Sequence, residues 1–103
     1  MSAGSDFCKI SKALADPQRR ELLEKIAQAG EMSCSALVGC CPVSQATVSH
    51  HLKELVNAGL LERRKEGQFG FYRFVPGKIA AYTEELGRRM GLAALAEPST
   101  SSS

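Results

Sequence analysis

No apolar stretch in this chain approaches the roughly 20 consecutive residues that span a bilayer, so membrane insertion is excluded as a function class. The first residues, Met1 to Asp6, carry neither a basic start nor an apolar run; no secretory signal is read there, and the expected location is the cytoplasm. Catalytic signatures are missing as well. There are no paired carboxylates in a defined motif, no glycine loop shaped to cradle phosphate and no activated nucleophile, and cysteine with histidine alone does not make an active site. The expectation is a protein that is not an enzyme. Internal repeats are absent too. What remains is an ordinary composition for one folded domain: 103 residues, 44% hydrophobic and 23% charged. So small a domain buries a modest fraction of its surface unless a second chain adds to it.

The net charge of +2 decides little, because nucleic-acid binding depends on where positive charge sits. It gathers at Arg63, Arg64 and Lys65, with Lys53 before and Arg73 after, and this cluster is a candidate phosphate contact. The four cysteines, Cys8, Cys34, Cys40 and Cys41, come without an export signal, so reduced thiols are expected rather than a disulfide framework.

Along the chain, Phe7, Ile10 and Leu14 recur at helical spacing and predict a first helix over 7–15. Asp16 and Pro17 form an N-cap and first helical position, Leu22, Leu23 and Ile26 the buried stripe, Gln18, Arg19 and Glu21 the solvent face, and Gly30 the stop of a second helix. Ser33 caps a short third helix that packs Ala36 and Leu37 inward, broken at Cys41, Pro42 and Val43. Ser44 caps a fourth, with Val48, Leu52, Leu55 and Val56 on one arc and Gly59 as terminator. Leu60 to Lys65 and Phe69 to Val75 read as a hairpin turning at Glu66, Gly67 and Gln68. After Pro76 and Gly77, Ile79, Tyr82, Leu86, Met90 and Ala93 recur as a last helix whose stripe needs a partner. Residues 1–6 are expected to be a flexible N-terminus, 7–95 the domain, and 96–103 a disordered serine-rich tail.

The fold class is therefore mainly α with a β-hairpin wing, ordered α-α-α-α-β-β-α. Helix, turn, helix and hairpin in sequence is the winged helix-turn-helix, whose second helix enters the major groove while the hairpin reaches flanking backbone. With Val48, Leu52 and Leu55 inward, the outward arc of the fourth helix holds Ala46, Thr47, His50 and Lys53, with Gln45 and Ser49 at its margins and Ser44 at its start. These side chains can bond bases or phosphates: Gln to adenine, the Thr methyl to thymine, hydroxyls to either. Polar residues opposite a buried stripe are more commonly a solvated face. The adjoining basic hairpin makes the DNA-reading interpretation the preferred one. His51 falls beside the inward arc and reads as structural, whereas His50 points outward.

The segments Leu14-Ala15-Asp16-Pro17-Gln18-Arg19-Arg20, Ser44-Gln45-Ala46-Thr47-Val48-Ser49-His50-His51-Leu52-Lys53-Glu54-Leu55 and Ala58-Gly59-Leu60-Leu61 resemble the ArsR/SmtB family of bacterial winged-helix repressors, over about Phe7 to Leu95. The resemblance implies a homodimer joined through the first and last helices, here Phe7, Ile10, Leu14, Ile79, Tyr82, Leu86 and Met90, on a pseudo-palindromic operator in double-stranded DNA. It also implies release by a bound metal, metalloid or oxidised thiol. Two familiar ligand sites are missing. The Cys-x-Cys pair near the third helix is replaced by Glu31-Met32-Ser33-Cys34-Ser35-Ala36-Leu37, and Gly77 to Leu95 contains no His, Asp or Cys.

Cys40 and Cys41 remain, with Cys34 earlier and Cys8 in the first helix. Three thiolates would suit arsenite, antimonite or another soft ion as effector, with no cofactor required. Two alternatives stand beside that: free cysteines as small buried hydrophobes, and a disulfide between Cys8 and Cys41 in a redox- or sulfide-responsive repressor. An effector-independent regulator and a protein-interaction module on the same fold are the remaining readings.

Overall fold

The computed structural model describes residues 3–40 and 43–92. Five helices, α1 (Ala3–Ala15), α2 (Pro17–Ala29), α3 (Cys34–Cys40), α4 (Gln45–Asn57) and α5 (Pro76–Arg89), combine with three strands, β1 (Glu31–Ser33), β2 (Leu61–Glu66) and β3 (Phe69–Phe74). The expected element order holds with one addition. The segment joining α2 to α3 is extended and pairs antiparallel with β3, so the β2–β3 hairpin is part of a three-stranded sheet in the order β1-β3-β2. Three residues are too few to show an alternating pattern in the sequence, and this strand was not foreseen.

Helix α1 starts at Ala3, four residues before the expected start at Phe7, and α5 starts at Pro76 rather than after Gly77. Proline at a first helical position has no N–H to leave unpaired, so it opens α5 where it was expected to close the hairpin. The expected residues 96–103 of the tail, like Met1, Ser2, Cys41, Pro42 and Ala93, lie outside the described residues.

Local signals set the boundaries. The Asp16 carboxylate accepts from the backbone N–H groups of Gln18 (2.9 Å) and Arg19 (3.1 Å), and Gly30, at φ 87°, ends α2 by donating to the Ile26 carbonyl at 2.6 Å. Ser33 Oγ accepts from Ala36 N–H and starts α3; Ser44 Oγ accepts from Thr47 N–H and starts α4. Ala36 itself is exposed, and Leu37 with half-buried Val38 provides the inward side of α3.

The core joins Ile10 and Ala13 of α1, Leu22, Leu23 and Ile26 of α2, Leu37 of α3, Val48, Leu52 and Leu55 of α4, and Leu60 and Leu61 at the wing's root. Tyr72, Phe74, Ile79 and Tyr82 pack against it. This apolar centre fixes α4 by one side and leaves the opposite side to solvent.

The α1–α5 contact is a separate layer. The Phe7 and Tyr82 rings stack with centroids 4.9 Å apart, the Tyr82 hydroxyl lies 2.9 Å from Ser11 Oγ, and the Arg89 guanidinium sits 4.3 Å above Phe7. No residue of α5 is fully buried; Leu86 is half-buried and Met90 is 66% exposed. Ile10 is in the core, so it is not available to a second chain, and Leu14, Ile79 and Tyr82 spend part of their surface within the protomer. Sequence spacing groups residues by face but does not divide that face between intrachain and interchain partners.

Candidate nucleic-acid interface

Helix α4 carries the outward residues as expected: Gln45, Ala46, Ser49, His50 and Lys53 are exposed, while Val48, Leu52 and Leu55 are fully buried. Thr47 departs from the expectation. It is half-buried, and its hydroxyl lies 3.0 Å from Ser44 Oγ, so both residues first serve to start the helix. That leaves the Thr47 methyl, one hydroxyl hydrogen and the remaining lone pairs for any ligand.

His51 is 5% exposed and sits between two side chains of α2. Arg19 Nε donates to His51 Nδ1 at 3.3 Å, and His51 Nε2 lies 3.4 Å from Gln18 Oε1. Nδ1 must then carry the lone pair and Nε2 the proton, a neutral tautomer fixed by its partners. Burial pushes the His51 pKa down, opposed by the Asp16 carboxylate and assisted by Arg19 and His50.

The structural reading of His51 holds, but its partners are side chains of Gln18 and Arg19, which the sequence had assigned to solvent. Every residue of the Asp16–Arg20 run now has a task. Asp16 caps, Pro17 opens the helix, Gln18 and Arg19 hold α4 through His51, and Arg20 Nη1 donates to the Leu14 carbonyl at 2.8 Å, closing the end of α1.

The wing's positive residues divide between two faces. Arg63 borders two clefts beside α4. One, of about 590 Å³, is also lined by Gln45, Ser49, Cys34, Gln68 and Phe69; the other, of about 240 Å³, by Ser49, Lys53, Asn57 and Tyr72. Gly70 lies beneath the Arg63 guanidinium, and a Cβ there would come within 3.7 Å of it. Lys65 shares the Arg63 side of β2, and neither has an acidic partner among the described residues.

Arg64 and Arg73 face the other way and are paired, Arg64 with Glu31 and Glu66, and Arg73 with Glu62. Of the four wing cations expected as phosphate contacts, Arg64 and Arg73 are thus engaged by carboxylates, and Arg63 and Lys65 have no acidic partner among the described residues. Alternation along β2 puts neighbouring residues on opposite faces, which a cluster read along the sequence conceals.

Cys8, Cys34 and Cys40, the described cysteines, are not gathered into one metal-holding group. Among the described residues no group of three or more His, Cys, Asp or Glu side chains could hold a metal. Cys34 is half-buried against the core at the start of α3, as expected of a small hydrophobe. Exposed Cys40 ends α3 with Sγ 3.5 Å from the Leu37 carbonyl, beside a pocket of about 100 Å³ that Gln18, Lys25 and His51 also line. Cys8 is exposed on α1, and Cys41 lies outside the described residues, so neither the Cys40–Cys41 pair nor a Cys8–Cys41 bond has a geometry here.

Residues 14–64, from the end of α1 through the first half of the wing, match the helix-turn-helix domain family. Over 71 residues the chain is 37% identical to the uncharacterized HTH-type transcriptional regulator MJ1325 of Methanocaldococcus jannaschii, covering 69% of this chain and 80% of that protein. It is likewise 37% identical over 67 residues to the arsenic resistance transcriptional regulator ArsR1 of Pseudomonas putida, covering 65% of this chain and 52% of that one. The homodimeric winged helix-turn-helix DNA-binding domain of Mb0332 from Mycobacterium bovis, a possible ArsR-family transcriptional regulator, superimposes with a TM-score of 0.63 at 28% identity, over 89% of this chain and 78% of that one.

The chain belongs to the ArsR family.

It is thus a winged helix-turn-helix transcriptional regulator and not an enzyme. In this ArsR-family protein α3 and α4 are the helix-turn-helix unit, and β2 and β3 are the wing. The chain spans about half the length of ArsR1. No helix among the described residues is long and apolar enough to cross a membrane.

Proposed function

We propose that this ArsR-family chain is a sequence-specific repressor that binds operator DNA as a homodimer in the cytoplasm and is released by a thiol-reactive effector. One observation carries the DNA-binding part. Gln45, Ser49, His50 and Lys53 stand exposed on α4 beside Arg63, with no acidic residue paired to Lys53 or Arg63 among the described residues. Polar α4 side chains read base edges in the major groove, and Arg63 and Lys65 neutralise the adjoining phosphates.

Two copies joined through α1 and α5 present their α4 helices to successive major grooves about 34 Å apart. The half-buried Leu86 and exposed Met90, and the homodimeric state of the Mb0332 domain, support that arrangement. Gel-shift titration on a duplex from the chain's own promoter and on a scrambled duplex of equal composition is the test. Equal affinity for the two would overturn sequence-specific recognition, and negligible binding of both at low salt would favour a protein-interaction module.

For the effector, the arsenic-resistance role in the name of ArsR1 and the exposed Cys40 beside the α2–α4 contact favour arsenite or a similar soft ion at Cys40 and Cys41. Titrating arsenite, cadmium and a mild oxidant against the DNA complex, with wild type and Cys41→Ser, separates metalloid from redox release. If none frees the DNA, the cysteine-sensor reading is wrong.

A further inference from the structure

Side chains alternate along β2, so Leu61, Arg63 and Lys65 share one face of the wing and Glu62, Arg64 and Glu66 the other. Pairing with β3 sets Arg73 opposite Glu62 and Phe71 opposite Arg64, and β1 adds Glu31 opposite Arg73 on that second face. There Arg64 Nε and Nη2 donate to the two carboxylate oxygens of Glu31 at 3.0 and 3.1 Å, a forked geometry, while Nη1 donates to Glu66 at 3.1 Å. Its guanidinium carbon lies 4.6 Å from the centroid of the Phe71 ring. All three guanidinium nitrogens and one planar face are therefore occupied. Three carboxylates, Glu31, Glu62 and Glu66, stand against two guanidinium groups, Arg64 and Arg73, so this face offers a phosphate a net negative charge.

Glu31 is itself anchored at both ends. It follows Gly30, the cap of α2, and precedes by two residues Ser33, the cap of α3. The β1–β3 ladder reaches only Phe71 to Arg73, and the Glu31–Arg64 fork ties the same segment across the sheet to β2.

We infer that Arg64 is a positioning residue: clamped by Glu31, it holds the wing at a fixed angle to the helix-turn-helix unit, and phosphate neutralisation falls to Arg63 and Lys65. This rests on the DNA-binding reading. Arg64 acts through the wing it orients, not through the DNA.

The test is a salt series of fluorescence-anisotropy titrations on the promoter duplex, with circular-dichroism melting of each variant. Glu31→Gln removes a negative charge, and if Arg64 were a phosphate contact it would leave binding unchanged or tighter. A brace predicts the opposite sign, a loss of about 3- to 10-fold as the fraction of correctly placed wing falls. Arg64→Lys keeps the charge but loses the fork and the stack, and matches Arg64→Gln. The double variant with Glu31→Gln binds no worse than Arg64→Gln alone.

In these variants the slope of log affinity against log salt stays at the wild-type value, whereas Arg63→Gln lowers its magnitude by about 1 per protomer. Undiminished binding by Glu31→Gln, or a slope loss in Arg64→Gln equal to that of Arg63→Gln, overturns the brace. Should Arg64→Gln fail to fold, Glu31→Gln and Arg64→Lys decide alone. Wild-type protein that binds no duplex at low salt refutes the DNA-binding reading and the role of the brace with it; normal wild-type binding with Glu31→Gln unaffected refutes the brace only.

Discussion

Arg19 donates its Nε–H to Nδ1 of the buried His51, tying the first turn of α2 to the middle of α4. Protonating His51 would place an N–H where the lone pair now accepts, and would set an imidazolium against a guanidinium. Burial holds the His51 pKa below its usual 6.5, so between the two values the unfolded chain binds more protons than the folded one. Acidification through that window therefore favours unfolding, and stability is full only above the unfolded value. Chemical denaturation at pH 7.5 and 5.5 should show stability falling with pH in wild type but not in His51→Leu. Asp16, Glu31 and Glu85 titrate lower than usual as well, and their contribution is lost only at more acidic pH.

Asp16→Ala removes the acceptor for two backbone N–H groups of α2 and also loosens the turn that presents Gln18 and Arg19. A loss of about 1 kcal/mol is expected, read as a lower urea midpoint with unchanged m-value.

His50 is exposed on α4, and among the described residues it has only a tilted ring contact to His51. Under the DNA-reading role, His50→Ala lowers discrimination between operator and scrambled duplex, and a base-edge contact of this kind is worth about 1–3 kcal/mol. Stability should be unchanged, since no buried contact is lost. A uniform loss on both duplexes would instead mark His50 as a phosphate contact.

Leu86 is half-buried on α5, one helical turn after Tyr82, whose ring stacks on Phe7 of α1. If the proposed dimer forms through α1 and α5, Leu86→Glu should leave the protomer folded and shift sedimentation from dimer to monomer. Binding to the full operator then weakens by about 100-fold or more, because the second half-site is no longer held near the first.

Much of this was legible in the sequence because it is written in local rules. The caps at Asp16, Ser33 and Ser44, the stops at Gly30 and Gly59, and the stripe of Val48, Leu52 and Leu55 each act within a few residues, and each behaves as its chemistry requires. What escaped was long-range. Nothing near Glu31 in the chain announces Arg64, 33 residues away, and nothing near Arg19 announces His51, 32 away. The pairing of the wing cations is hidden from the sequence for the same reason. Arg63, Arg64 and Lys65 are neighbours in the chain, yet the pleat sends the middle one to the far face and into carboxylates.

The strand order β1-β3-β2 leaves two rims without a strand partner among the described residues. A strand with open N–H and C=O groups is a template on which another chain can polymerise. One rim, β1, is only three residues long; the other, β2, presents the unbroken charged run Glu62-Arg63-Arg64-Lys65-Glu66. An incoming strand would have to strip water from these charges to add itself. A charged rim of this kind disfavours edge-to-edge pairing, and replacing the run wholesale with neutral β-formers is expected to produce fibres or precipitate before any change in DNA affinity can be read.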